Sequence, residues 1–176
     1  MQEKSKSILP EDGDFNLVAL WLKFDLPRLI AGLLAGLFAG VVMAIAAGVF
    51  AKLGGEEFLY PVKIAASPIL GLEATAYGMN LGPIILGFIV HETICGVLGM
   101  VYAHFTKTNE LLPLLAAGFV WGTFSWVFIQ NLFVRSFIEV RTADLPSGIA
   151  FFVLLIFGFS LSSIRIFDRI VCGKVR

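Results

Sequence analysis

Charge is scarce in this chain. Of 176 residues only 15% are Asp, Glu, Lys or Arg, and the 13 basic and 13 acidic side chains cancel. Bulk electrostatics therefore give no reason to expect nucleic acid or another polyanion as partner. Cysteine and histidine are rarer still, two of each. Cys95 lies inside a hydrophobic run and Cys172 near the C-terminus, so the pair suggests no disulfide framework and both read as free thiols. There is no C-x-x-C, no C-x-x-C-H and no Cys/His cluster at metal-ligand spacing, which excludes covalent haem or an iron–sulfur cluster held by this chain alone and leaves no metal site. A Ser/His/Asp set in one plane, a phosphate loop and a paired-carboxylate motif are also missing, so the chain reads as a non-enzyme. Residues 1–14 hold no apolar run able to form the core of a cleavable signal peptide, and the first long hydrophobic stretch is expected to stay as an anchor.

What the chain has in abundance is apolar surface: 58% hydrophobic residues and a mean hydropathy of +0.89. That is too apolar for an ordinary water-soluble domain. The expected fold is an all-α integral membrane protein, a four-transmembrane-helix bundle with spans at about 27–53, 81–104, 111–134 and 148–166. Ahead of it, residues 1–26 form a tail and a short interfacial helix (Phe15–Leu26, with Trp21, Lys23 and Asp25), and residues 167–176 form a basic tail. The 54–80 segment is too polar to span and is broken by Pro61, Pro68, Gly71 and Gly78, so it should fold as short helices at the membrane surface. The fourth span, rich in Phe and Leu and poor in small residues, is expected to be the most lipid-exposed.

Orientation follows from the basic residues. The two ends and the middle link share one side and hold nine (Lys4, Lys6, Lys23, Arg28, Lys107, Arg165, Arg169, Lys174 and Arg176), against four (Lys52, Lys63, Arg135 and Arg141) in or beside loops 54–80 and 135–147. The positive-inside rule then places both termini in the cytoplasm, in an inner membrane, with those two loops outward.

Span one carries small residues at every fourth position, Gly32, Gly36, Gly40, Ala44 and Gly48, with Ala31, Ala35 and Ala39 in a second row. Such rows let backbones approach closely, which replaces the hydrophobic driving force that lipid does not supply. Span two carries Gly87, Gly96 and Gly99 as further helix-packing positions. It also holds His91 and Glu92 side by side near its middle, where an ionisable group costs several kcal/mol unless it faces protein or water. Gly87, His91, Cys95 and Gly99 fall on one drifting stripe, with Glu92 and Gly96 beside it. A buried polar site of His91, Glu92, Cys95 and Tyr102 follows, with Lys63, Glu73 and Tyr77 as candidates in the outward loop. Gln130, Asn131, Arg135 and Glu139 form a polar ladder at the far end of span three.

Three functions fit these residues. The first is an accessory, structural or assembly subunit of a larger, possibly respiratory, membrane complex, binding other membrane subunits or copies of itself and carrying no cofactor. The second is an oligomeric proton- or ion-coupled transporter or channel, because an imidazole titrates near neutral pH and can exchange a proton with a neighbouring carboxyl group. The third rests on His91 and His104, thirteen residues apart on one predicted helix. That spacing resembles the intra-helix histidine pairs of the cytochrome b family of respiratory complexes, and the resemblance implies haem b, or a quinone beside a partner's haem. It covers those two residues only, and the second ligand of each iron would have to come from another copy or subunit.

Overall fold

The structure is a computed structural model that describes residues 24–129 and 147–173; at 147 and 172 it describes the backbone only. Among the described residues every regular element is helical. Helix α1 spans Leu26–Leu53, α2 Tyr60–Leu70, α3 Leu81–Phe105, α4 Leu111–Phe128, α5 Ser147–Ser160 and α6 Ile164–Cys172. Four stretches are long and apolar enough to cross a membrane: α1, α3, α4, and Gly148–Val171, which runs through α5, a short 3-10 turn and α6. The interfacial helix expected over Phe15–Leu26 lies outside the described residues as far as residue 23, as do the 130–139 polar ladder and most of loop 135–147.

Local chemistry sets the helix ends. Asp25 caps α1, its carboxylate accepting from the Arg28 N–H at 3.4 Å, and Pro27 sits in the first turn, where its missing N–H costs nothing. At 28 residues α1 is about 42 Å long. Pro61 opens α2 and Gly71, at φ +76°, ends it.

Helix α1 is the centre of the molecule, packing against α3 along one side and against α5 and α6 along another. Its contact with α3 is backbone against backbone. A methyl group built on Gly99 would overlap the Gly32 carbonyl oxygen and lie 2.6 Å from the Gly36 Cα, and one on Gly36 would lie 3.0 Å from the Gly96 Cα. The second row, Ala31, Ala35 and Ala39, is fully buried and shares a core with Phe157, Leu161 and Ile164. Toward the far end the row changes partner: Gly48 receives Phe58, and Ala44 is only half-buried. Helix α2 lies across α3, with the Val62 carbonyl seated on Gly87.

The fourth stretch departs from expectation twice. It is not the most exposed: 33% of its most apolar window is buried, equal to α1 and above the 22% of α3 and α4. Gly158 explains this, because it and Gly118 of α4 sit backbone on backbone, and Gly122 faces the Leu154 carbonyl 2.6 Å from where its Cβ would be. One glycine opposite two on the neighbouring helix is enough for close approach. Nor does a tail begin at 167, since α6 continues to Cys172 with Ile164 and Asp168 buried.

Because the atoms facing Gly99 are backbone, they cannot move aside as a side chain can. Gly99→Ala is expected to lower stability in detergent by about 1–3 kcal/mol through overpacking. Gly82→Ala, with nothing within 4 Å, should be neutral or mildly stabilising. Equal midpoints for the two variants in a denaturant titration would contradict the backbone contact.

Candidate functional site

In the middle of the α1–α3 crossing the small residues leave room for two polar side chains. His91 turns toward α1 and its Nε2 lies 3.1 Å from the Gly40 carbonyl oxygen. A carbonyl only accepts, so Nε2 carries the hydrogen and donates, and Nδ1 is the ring nitrogen left free to take a proton. The Cys95 Sγ, one turn along α3, is 3.7 Å from the same Nε2. Glu92 lies beside them, with Oε1 3.9 Å from His91 Nε2. Both side chains are largely buried, 17% and 12% exposed, and Glu92 Oε1 is sealed with no hydrogen-bond partner.

Gly40 makes this arrangement possible. A Cβ there would stand 2.9 Å from Glu92 Oε2, 3.0 Å from Oε1 and 2.9 Å from the Cys95 Cβ. The glycine therefore supplies both the hydrogen-bond acceptor for His91 and the space for the Glu92 carboxyl group. A side chain at position 40 would force the Glu92 carboxyl group and the Cys95 Cβ to shift.

Of the other residues expected in this site, the structure brings in none. Tyr102 lies three turns further along α3, fully buried, and its hydroxyl donates to the Leu114 carbonyl at 2.8 Å, tying α3 to the start of α4. His104 is at the end of α3, its ring 5.2 Å from Phe24 and 5.4 Å from Phe105, with Nδ1 buried and unpartnered. Among the described residues no three His, Cys, Asp or Glu side chains converge as a metal site would.

The candidates in the 54–80 segment separate as well. Glu73 and Tyr77 are exposed. Lys63 is buried and satisfied: its ammonium pairs with Glu57 and donates to the carbonyls of Ala76 at 2.9 Å and Gly78 at 2.6 Å. Glu57 accepts in turn from the Gly78 N–H at 2.6 Å. This is a clasp that folds the 71–80 segment back onto α2. The hydrogen bonds from Lys63 and then from Gly78 hold the Glu57 carboxyl below its ordinary range.

A second polar cluster was not visible in the sequence. Arg28 in the first turn of α1, Asn109 in the link between α3 and α4, and Asp168 on α6 meet at one end of the molecule. Arg28 lies 3.1 Å from Asp168 Oδ2 and donates to the carbonyls of Thr106 and Thr108 and to Asn109 Oδ1. Asn109 Nδ2 donates to Asp168 at 2.8 Å. Arg28 and Asp168 are 5% and 1% exposed. Removing one partner from a buried pair of this kind costs about 3–5 kcal/mol, because the other charge is left uncompensated. The available signal was periodicity: Ile164, Phe167, Asp168 and Val171 fall on one face of a helix, which a plain basic tail would not require.

Searches against protein-family models, curated proteins and solved structures found no match to the chain. The functional reading therefore rests on the geometry alone.

The clasp has a pH signature. A carboxyl held below its ordinary 4.5 in the folded chain stabilises that chain above this value, and the contribution is lost as pH falls through the lowered value. Exchange protection of the Gly78 amide, relative to its intrinsic rate, is expected to persist from neutral pH to 4.5 and to fall away below it. In Glu57→Gln the same protection should be weaker and flat with pH; a wild-type acid limb in that variant would contradict the clasp.

Proposed function

We propose that this is an integral membrane protein, both termini cytoplasmic, that exchanges protons at His91 and Glu92 while assembled with further copies of itself or with other membrane subunits. The observation that carries the reading is the Glu92 carboxyl group: Oε1 is buried, has no hydrogen-bond partner and lies 3.9 Å from an imidazole. A carboxylate removed from water without such a partner is costly, so one placed between two helices that could cross a bilayer points to use rather than to packing.

Proton exchange fits the atoms available. With Nε2 committed to Gly40, a proton arriving from the exposed side of α3 is taken by His91 Nδ1 or by Glu92, and passes between ring and carboxyl group as the two side chains move. Transfer across the whole membrane needs more walls than α1 and α3 provide, and this is the reason for assembly. Large apolar side chains stand exposed along every long helix, among them Phe38 and Ile45 of α1, Ile85 and Phe88 of α3 and Phe119 and Phe124 of α4, a surface suited to lipid or to neighbouring helices.

The accessory-subunit reading shares the membrane and the assembly but gives His91 and Glu92 a packing role. One assay separates the two. In proteoliposomes carrying a pH-sensitive dye, the wild type should dissipate an imposed proton gradient, and Glu92→Gln, nearly the same shape, should leave only the leak of empty liposomes. Flux unchanged in Glu92→Gln would overturn the proton reading and leave the accessory one standing.

A further inference from the structure

At the end where α1 begins, the α3–α4 link and α6 come together around a cavity of about 460 Å³. Arg28, Asn109 and Asp168 line part of it, but their charge is spent on one another. They hold the three elements in place and add no net field. The free charge on the lining comes from Lys107, Arg165 and Arg169, none of which pairs with a described acidic side chain. Arg165 and Arg169 stand one turn apart on the same face of α6, and Lys107 reaches in from the link. Two acidic groups on the lining offset part of this charge, Asp25, which stays a carboxylate while it caps α1, and Glu110 on the rim, so that four basic and three acidic side chains leave a net charge of +1.

Two guanidinium groups and an ammonium around one cavity match a phosphate, whose oxygens accept from a planar fork. The flank of the cavity says which phosphate. On the neighbouring stripe of α6, Ile166 and Ile170 are 58% and 68% exposed, and Leu26 at the start of α1 is 67% exposed. A soluble phosphate has no use for such a flank, whereas the acyl chains of a phospholipid do. By the distribution of basic residues this end is the cytoplasmic one, where anionic headgroups are attracted to basic pockets between helices.

We propose that the cavity binds the phosphate of an anionic phospholipid, with the headgroup between Lys107, Arg165 and Arg169 and the chains along Ile166 and Ile170. The proposal rests on membrane insertion but not on proton exchange at His91 and Glu92.

Native mass spectrometry of the full chain released from micelles tests it, with phosphatidylglycerol and phosphatidylcholine supplied together in equal amounts. Phosphatidylglycerol is expected to be retained preferentially. Arg165→Gln with Arg169→Gln should cut that retention about tenfold and leave phosphatidylcholine unchanged. Glu110→Gln, which removes the opposing charge, should raise it, and this second variant decides the matter if the first fails to fold. Glu92→Gln should keep the selectivity, so failure here and failure of the proton reading are separate results. Equal retention of the two lipids, selectivity unaltered in the double variant, or displacement by inorganic phosphate at the same concentration would each overturn the proposal, the last by assigning the cavity to a soluble anion.

Discussion

The structure depends on how closely α1 and α3 approach. Between apolar helices in an apolar solvent no hydrophobic gain is left to drive association, and only contact itself, atom on atom, holds them. Gly32, Gly36 and Gly99 reduce the separation to the backbone limit. Everything chemically unusual on α3 follows from that distance. At a normal helix separation the Gly40 carbonyl would be out of reach of His91, and Glu92 would have lipid or water beside it rather than the flank of α1.

The polar groups divide by position along the bundle. At one end Arg28, Asn109 and Asp168 fasten α1, the α3–α4 link and α6; at the other Lys63 and Glu57 fasten the 71–80 segment to α2. At the two ends the Lys63 ammonium and the terminal nitrogens of Arg28 meet carboxylates or carbonyls, while Arg28 Nε is buried without a partner. In the middle it is an acceptor, Glu92 Oε1, that is left without a donor.

Much of this was legible in the residues. The glycine rows mark α1 and α3 as packing helices without naming each as the other's partner, and the lengths of the apolar runs bound α1 and α3 to within a residue or two, because small-residue spacing and hydropathy are local properties. Three features were not legible. The burial of α5 was hidden because a single glycine, Gly158, looks insignificant until it is known to face Gly118 and Gly122. The Arg28–Asp168 pair joins residues 140 positions apart, and in the sequence Arg28 counts only toward orientation while Asp168 falls in a basic tail. Tyr102 was grouped with His91 by shared polarity on one helix, although three turns of rise separate them and its hydroxyl belongs to Leu114.

The most direct measurement of the account's central claim is a cross-link through the α1–α3 crossing. A Cβ at position 40 lies 2.9 Å from the Cys95 Cβ, close enough for a disulfide once the helices ease apart slightly. In a Cys172→Ser background, Gly40→Cys oxidised in native membranes should yield a disulfide-linked peptide pair joining α1 to α3. Gly82→Cys treated in the same way should yield none to Cys95. Two free thiols at positions 40 and 95 after full oxidation would mean that the helices do not cross there, and the enclosure of Glu92 would go with it.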